Sequence, residues 1–411
     1  MSLLQQVVSY LVCELPKSTL PAGSAIVGGQ YVFYVSGPTP LRCDYACRNG
    51  DALILSTGGN AAVHFGEGRF SYSTDCWALE PIDGKVEGKF LYYHLSSQIA
   101  RIDALGFEGS GLRHLRKNFI RCYPVPEFPL CEQTKIAEVL STVDRAIEQT
   151  EALIAKQQRI KSGLMQDLLT RGIDERGNLR SEETHQFKDS PLGRIPVEWD
   201  PKHLREVADY QNGKAFPSTA YCDSGVRLVR PGNLAPNGWV VWDDAHTTHL
   251  PVAFWEKARD YQVGPGEILM NLTAQSLEDQ FLGRVCMTPE GNSCLLNQRI
   301  ARIIPYSCDP SFLFWSLKGP HFRDYVNSIP QGTKVQHVYN RNIDAVQLAI
   351  PKSNTEQESI ASTLWGIEKK TDAFLKQLEK IKSLKTALMQ DLLTGKVRVT
   401  PLLKESQEAI A

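Results

Sequence analysis

Apolar residues at helical spacing mark two stretches of the chain, and the second stretch repeats the first 224 positions later. The string Leu-Met-Gln-Asp-Leu-Leu-Thr at 164–170 recurs at 388–394, and the Glu-Gln pair at 132–133 recurs at 356–357. The apolar residues follow steps of three and four, which is the heptad pattern of a coiled coil. The seam positions are Ile136, Leu140, Val143, Ile147, Leu164 and Leu168 in the first copy, and Ile360, Leu364, Ile367, Leu378, Ile381, Leu388 and Leu392 in the second.

Start and stop signals bound both predicted helices. Ser353 precedes Glu356 at the spacing of a capping box, and Pro129 stands at the equivalent start of the first copy. Gly172 and Gly395 follow the two ends, where a left-handed residue closes a helix. Each helix spans about 35 residues, or roughly 50 Å. We expect the two matched seams to pack on each other, and the alternative is that each packs only on its own domain.

Short apolar runs of strand length dominate the stretches before each helix. They include 31–35 and 52–55 in the first stretch, and 226–229, 239–242 and 299–304 in the second. Strand-rich domains with separate long helices indicate an α+β fold. The predicted organisation is a first domain at 1–130, a first helix at 131–172, a connector at 173–194, a second domain at 195–351, a second helix at 352–395 and a tail at 396–411.

The composition is that of an ordinary globular protein. Of its 411 residues, 42% are hydrophobic and 22% are charged. No apolar run approaches the roughly 20 residues that a membrane helix needs. The ten cysteines are thinly spread, which is typical of free thiols in a reducing compartment, and the N-terminus does not resemble a secretory signal. We therefore expect a cytoplasmic protein with no membrane partner.

The charge balance limits how this chain can bind nucleic acid. Lys and Arg number 45 and Asp and Glu number 46, for a net charge of −1. This argues against a protein that holds nucleic acid by bulk charge alone, so nucleic-acid contacts would have to be local. Basic residues and polar, glycine-containing turns supply candidates in both domains. The candidates are Ser56, Gly58, Gly59, Asn60, Arg69, Tyr72, Arg113, Arg116 and Lys117 in the first domain, and Lys214, Arg230, Asn233, Asn271, Gln275, Gln280 and Lys334 in the second.

The two candidate sets have parallel positions in the chain. The triplet Leu112-Arg113-His114 before the first helix is echoed by Val335-Gln336-His337 before the second. Each polar turn alone is more often an ordinary turn than a binding site. Their parallel placement in two domains favours a shared function.

Motifs for catalysis are missing from the sequence. It contains no phosphate-binding loop, dinucleotide fingerprint, nucleophile elbow or zinc-protease motif, and no Asn-Pro-Pro or Asp-Pro-Pro methyltransferase site. One nuclease-like outline remains, in which Asp75 and Glu87 hold Mg²⁺ and Lys89 helps to activate water. The three residue types are common and their spacing is loose. We expect no catalysis by this chain.

The pattern as a whole resembles the specificity subunits of type I restriction-modification enzymes. The most specific features are the two helices with Glu-Gln near the start and Leu-Met-Gln-Asp-Leu-Leu-Thr at the end. The stretch Ser-Pro-Leu-Gly-Arg-Ile-Pro-Val-Glu-Trp at 190–199 is similar to the family's entry into a target recognition domain. Residues 58–76 also resemble the family's recognition-domain pattern. The first domain departs from the family because it lacks the Leu-Gly-x-Ile-Pro-x-x-Trp entry and is shorter.

The resemblance implies two target recognition domains separated by two helices that pack as an antiparallel coiled coil, with pseudo-two-fold symmetry. Each domain would read half of a split, asymmetric site in double-stranded DNA. The helices would set the spacer and dock methyltransferase subunits, through which restriction subunits join. S-adenosylmethionine, ATP and Mg²⁺ would belong to those partners, with no cofactor or metal in this chain. A coiled-coil scaffold that binds only protein is the remaining alternative.

Overall fold

The computed structural model describes residues 5–275, 280–329 and 336–403, and in it the chain divides into two units. Unit 1 combines Met1–Ala152 with Leu375–Ala411, and unit 2 is Leu153–Phe374. Each unit therefore contains one globular domain, part of its own long helix and part of the other long helix.

Unit 1 is built on two four-stranded sheets, with strand orders β2-β9-β6-β7 and β4-β3-β8-β5. Neighbouring strands are antiparallel except for the parallel pair β3 and β8. Two short ribbons, β1-β12 and β10-β11, complete the described strands. The strands are β1 (Gln5–Val7), β2 (Val12–Glu14), β3 (Tyr31–Tyr34), β4 (Leu41–Cys43), β5 (Arg48–Asn49), β6 (Ala52–Ser56), β7 (Val63–Gly66), β8 (Arg69–Tyr72), β9 (Cys76–Pro81), β10 (Phe107–Glu108), β11 (His114–Leu115) and β12 (Pro124–Pro126).

Strand β6 lies at the centre of unit 1, and all five of its side chains are buried. Leu53 and Leu55 join a core with the helices, while Ala52 and Ile54 face the second sheet. This alternation follows from the two-residue period of a strand, which lets one apolar run bury both of its faces. The helices of this domain are α1 (Gly88–Ser97), α2 (Ile99–Gly106) and α3 (Lys117–Arg121).

The first long helix, α4 (Leu130–Leu168), follows Pro129 and ends shortly before Gly172. Gly172 has a φ of +63°, as the sequence predicts for a residue that closes a helix. The connector then turns at Gly177, where φ is +81°.

Unit 2 repeats the strand topology of unit 1. Its four-stranded sheets have the orders β16-β24-β20-β22 and β18-β17-β23-β19, and its one described parallel pair is β17 and β23. The ribbon β15-β26 corresponds to β1-β12, and the ribbon β21-β25 corresponds to the isolated bridge between Gly58 and His114. The strands are β13 (Phe187–Ser190), β14 (Gly193–Pro196), β15 (Trp199–His203), β16 (Ala208–Asn212), β17 (Val226–Val229), β18 (Thr248–Leu250), β19 (Gln262–Val263), β20 (Ile268–Asn271), β21 (Thr273–Ala274), β22 (Val285–Met287), β23 (Cys294–Leu296), β24 (Ile300–Pro305), β25 (Gln336–His337) and β26 (Gln347–Pro351).

Helices α5 (Ala253–Lys257), α6 (Pro310–Ser316), α7 (Pro320–Ser328) and α8 (Asn340–Asp344) belong to unit 2, and α9 (Asn354–Leu393) is the second long helix. One strand prediction was wrong: residues 239–242 form only isolated bridges, Trp239 with Met287 and Val240 with Leu234. Four consecutive apolar residues do not form a strand unless a neighbouring strand forms consecutive backbone hydrogen bonds with them.

Helices α4 and α9 pack together antiparallel, which confirms the predicted coiled coil. In unit 1, Lys385 contacts Asp144 at 2.6 Å and Lys382 contacts Glu151 at 2.7 Å. In unit 2, Lys161 pairs with Glu368. Seventeen positions separate Asp144 from Lys161, and seventeen separate Glu368 from Lys385. The two ion pairs therefore occupy equivalent places in the sequence repeat and share one antiparallel register.

The seam residues nearest the helix starts are the most deeply buried. Ile136, Leu140, Ile360 and Leu364 are fully inaccessible to solvent, and Ile367 in the first half of α9 is also buried. Leu168 and Leu392 are buried at the other ends of the helices. The remaining predicted seam residues are partly buried: Val143, Ile147, Leu164, Leu378, Ile381 and Leu388. Buried residues also occur near the middle of the pair, among them Ile154 and Thr371.

Candidate nucleic-acid interface

An open groove of about 860 Å³ crosses the surface of unit 2. Its walls carry amide, guanidinium, imidazole and phenol groups, and no carboxylate side chain is among the described residues that line it. These are the side chains that donate to phosphates and base edges. The lining residues are Asn212, Leu272, Thr273, Gln298, Arg299, His337, Val338, Tyr339, Asn340 and Arg341.

Paired strands fix the floor of this groove. β21 pairs with β25, so Thr273 lies opposite His337, and the Val338 N–H donates to the Leu272 carbonyl at 2.9 Å. The Leu272 N–H donates in turn to the Arg299 carbonyl at 2.9 Å. Three segments that are distant in sequence are thus held side by side by backbone hydrogen bonds.

An exposed aromatic side chain rises from this floor. The Tyr339 side chain is 55% exposed although its backbone N–H is held by Asn342 Oδ1 at 2.9 Å. The His337 ring stacks on Tyr339 with centroids 5.6 Å apart, and the Arg341 guanidinium lies 5.6 Å from the same ring. This arrangement offers a rigid, positively charged aromatic surface to a ligand.

Unit 1 contains the equivalent floor. The Leu115 N–H donates to the Thr57 carbonyl at 3.0 Å, and the Thr57 N–H donates to the Asp75 carbonyl at 2.9 Å. Gly58 lies opposite His114, as Thr273 lies opposite His337 in unit 2. The sequence echo between 112–114 and 335–337 is thus matched by the structure at His114 and His337, and residue 335 lies outside the described residues.

The predicted basic cluster of unit 1 has two different roles. Arg113 donates to both carboxylate oxygens of Asp103 at 2.8 Å and to Asn60 Oδ1 at 3.1 Å. The Arg113 guanidinium, followed by the Ala61 N–H, holds the pKa of Asp103 below its usual range. Arg113 therefore fastens the 57–62 turn rather than reaching outward.

Arg116 and Lys117 are exposed on the same surface. Arg116 donates to the Leu105 carbonyl and lies 3.6 Å from Glu108, while Lys117 Nζ lies 4.9 Å from the Trp77 ring centroid. Among the described residues Lys117 has no carboxylate partner, so its charge is available to a phosphate.

Four predicted DNA-contact side chains are buried, and their polar groups bond within the fold. Tyr72 donates to the Pro16 carbonyl at 2.6 Å, and Ser56 Oγ bonds the backbone of Asn60 and Ala62 at 2.8 Å. Asn233 and Asn271 are fully buried and donate to backbone carbonyls of their own loops. These side chains therefore stabilise their own turns and loops, as an Asn or Ser in a glycine-rich turn often does.

The other predicted contacts are placed on the surface or outside the described residues. Gly59 has a φ of +80° and donates to the Arg113 carbonyl at 2.9 Å. The remaining positions are exposed, with Gly58 half-buried, and Lys334 lies outside the described residues. The exposed positions are Asn60, Arg69, Lys214, Arg230, Gln275 and Gln280.

Sequence reasoning missed Gln298, Arg299, Tyr339, Asn340 and Arg341 as members of the groove. The echo that ends at His337 already pointed to the segment immediately before Tyr339, Asn340 and Arg341. Extending it by four residues would have found Tyr339 and Arg341. Nothing in the sequence indicates that Arg299 meets this strand, since the pairing is non-local.

The nuclease-like outline does not assemble into a metal site. Glu87 caps α1 by accepting from the Phe90 N–H, and Lys89 pairs with Glu67 at 2.8 Å. Asp75 precedes β9, whereas Glu87 follows it. Among the described residues no cluster of three or more metal-ligating side chains occurs, so the nuclease alternative is not favoured.

The repeated Glu-Gln pair joins each long helix to its domain. Gln133 accepts from the Glu87 N–H at 2.9 Å and donates to the Phe128 carbonyl at 2.8 Å. Gln357 does the same with the Asp309 N–H and the Pro351 carbonyl, both at 2.8 Å. The repeated Glu-Gln pair thus reflects the same contact between helix and domain in both units.

A model of the type I restriction modification DNA specificity domain matches residues 29–157 and 196–383. The chain belongs to this family. Specificity subunits are the non-catalytic DNA-recognition components of type I restriction-modification systems, and the family assembles with other subunits. No helix in the described part of this subunit is long and apolar enough to cross a membrane.

This subunit is similar to other specificity subunits in sequence and to a solved S subunit in fold. The MjaVIII specificity subunit of Methanocaldococcus jannaschii is 27% identical over 354 residues, covering 86% of this chain and 80% of its own. The EcoDI specificity subunit of Escherichia coli is 27% identical over 212 residues, covering 48% and 47%. The crystal structure of the S subunit from M. genitalium superposes with a TM-score of 0.67 over 95% of each chain, at 16% identity, and so shares the fold.

Proposed function

We propose that each recognition domain of this specificity subunit reads one half of a split, asymmetric site in double-stranded DNA. The duplicated floor of the groove, formed by 57–58 with 114–115 and by 272–273 with 337–338, supports this proposal. The same backbone frame carries different side chains in the two units. A common frame with different side chains suits two half-sites of different sequence.

The helix pair sets the distance between the half-sites in this proposal. Its register is specified by charged pairs in both units, Lys161 with Glu368 and Lys385 with Asp144. A charged pair inside a coiled coil favours one register because a slip leaves the charges unpaired. A slip of one heptad would place Glu368, whose side chain is 4% exposed, opposite Ile154 or Leu168.

The same helices dock two methyltransferase subunits. Ile160 and Leu384 are exposed apolar residues, 38% and 52% accessible, and they lie 224 positions apart in the repeat. Equivalent apolar positions on α4 and α9 suit two copies of one partner. The partners supply S-adenosylmethionine and adenine methylation, and restriction subunits that join through them supply ATP and Mg²⁺ chemistry.

A domain exchange tests the assignment of one domain to one half-site. Residues 195–351 are replaced by the corresponding domain of a relative, and the chain is expressed with its methyltransferase. Methylome sequencing should show one half-site changed and the other retained. The matched control replaces the first domain and should change the opposite half. If both half-sites change in either exchange, the assignment is wrong.

A further inference from the structure

Asp75 and Arg299 occupy the same place in the two recognition domains. The Asp75 carbonyl accepts from the Thr57 N–H at 2.9 Å, and the Arg299 carbonyl accepts from the Leu272 N–H at 2.9 Å. One residue later, β9 and β24 begin, and these strands hold equivalent positions in the sheets β2-β9-β6-β7 and β16-β24-β20-β22. The same backbone frame therefore presents an acidic side chain in one domain and a basic side chain in the other.

Both charged groups are exposed and have no hydrogen-bond or ion-pair partner among the residues that the structure describes. Nearby charges behave differently, since Arg113 pairs with Asp103 and Arg116 with Glu108. A hydrogen bond to the backbone carbonyl holds the main chain at Asp75 and at Arg299, so each side chain extends from a fixed point. Arg299 also lines the groove of unit 2.

The opposite charges select different ligands on DNA. A guanidinium donates two hydrogen bonds to guanine O6 and N7, whereas a carboxylate accepts from the amino group at cytosine N4. Phosphates attract the first group and repel the second. A free carboxylate at a DNA-facing position is therefore suited to a base edge and not to the backbone.

We propose that Asp75 and Arg299 are base-reading residues, with Arg299 reading a guanine in one half-site and Asp75 reading an amino-bearing base, cytosine above all, in the other. This inference rests on the proposed function, since it requires that each domain reads one half-site. It adds the chemical class of base that one residue in each domain recognises, and it explains how one frame can read an asymmetric site.

The test uses the full chain with its methyltransferase and compares methylated motifs by sequencing. Arg299→Ala should relax one guanine position in the half-site of the second domain, with a loss of roughly 5–150-fold in discrimination there, as expected for one bidentate contact. Asp75→Ala should relax one position in the other half-site. Arg341→Ala is the matched control, an exposed arginine of the same groove that should weaken all sequences about equally.

Two outcomes separate this inference from the proposed function. If Asp75→Ala raises affinity for every sequence and leaves the motif unchanged, Asp75 only repels phosphate and the inference fails, while half-site reading stands. The same holds if Arg299→Ala weakens all sites uniformly. If the wild-type complex methylates no two-part motif, the proposed function itself fails.

Discussion

Arg180 in the connector and Glu356 at the start of α9 form a buried ion pair. Arg180 donates from both Nη atoms to the carboxylate, one of them at 3.0 Å, and both side chains are 7% exposed. Trp199 Nε1 and the Ile173 N–H donate to the same carboxylate at 3.0 Å. The segment that follows one long helix is thereby fixed to the beginning of the other.

The equivalent contact in unit 1 joins Arg398 to Glu132 at 2.6 and 2.8 Å. It differs in burial, because the Arg398 side chain is 44% exposed. Glu132 and Glu356 thus each bind the segment that follows the other long helix. At Glu356, this contact explains why only part of the predicted capping box forms. Ser353 accepts from the Glu356 N–H at 3.3 Å, but the Glu356 side chain turns to Arg180.

Replacing Glu356 by Gln should destabilise the chain far more than replacing Glu132. Glu356→Gln leaves the Arg180 guanidinium buried without a countercharge, a loss of about 3–5 kcal/mol in the free energy of unfolding. Glu132→Gln leaves Arg398 able to reach water, so we expect about 1 kcal/mol or less. Denaturant unfolding of the two variants measures both values. Equal losses would show that burial of the arginine does not matter.

Replacing Arg113 should mainly lower stability, whereas replacing Lys117 should mainly weaken DNA binding. Arg113→Ala removes the hydrogen bonds to Asp103 and should lower the stability of unit 1. Lys117→Ala should leave stability unchanged and weaken DNA binding for all sequences, with a salt slope smaller by about one unit. Binding titrations at several salt concentrations and thermal unfolding distinguish the two. A motif change in Lys117→Ala would contradict its role as a phosphate contact.

The Asp103–Arg113 pair should give a pH-dependent part of the stability. The pKa of Asp103 is lower in the folded chain than in the unfolded chain, where it is about 3.9. Its contribution is therefore fully present above the unfolded pKa and is lost as the pH falls through the folded pKa. The stability difference between wild type and Asp103→Asn should shrink below about pH 4. A difference that stays constant from pH 7 to pH 3 would exclude this pair as its source.

Lengthening both helices by one heptad should lengthen the DNA spacer. Insertions after Ala152 and after Lys376 leave the pairs Asp144–Lys385 and Lys161–Glu368 intact on either side. Seven residues add about 10 Å to a helix, which corresponds to roughly three base pairs. Methylome sequencing should show unchanged half-sites with a longer spacer. Insertion into one helix alone breaks the shared register and should abolish methylation, and an unchanged spacer in the double insertion would mean that the helices do not set it.

Ile160→Asp and Leu384→Asp should each weaken methyltransferase binding without unfolding the chain. Both side chains are exposed, so a carboxylate there is hydrated in the free subunit and is desolvated only in a complex. We expect each single variant to lose one of two bound partners and the double variant to lose both. Size-exclusion chromatography with light scattering measures the stoichiometry. Val252→Asp, at an exposed apolar residue immediately before α5 that belongs to neither long helix, is the control and should bind two partners.

The two long helices, their ends and their duplication could all be predicted from local patterns in the sequence. A helix is held by hydrogen bonds between residues four apart, so its period, caps and closing glycines are all local signals. Gly172 and Gly395 adopt the left-handed conformation that their positions predicted, with φ of +63° and +72°. The missing catalytic motifs and the neutral charge balance likewise needed no structure.

Which polar side chains remain exposed could be learned only from the fold. Strand pairing joins residues far apart in the chain, so the sequence did not show that Arg299 meets Leu272 or that Asp75 meets Thr57. Polar residues in turns look alike in sequence whether they bond to their own loop, as Asn233 and Asn271 do, or have no side-chain partner among the described residues, as is true of Asp75 and Arg299. The difference depends on which carbonyls and N–H groups the fold leaves unpaired nearby, and non-local pairing sets that.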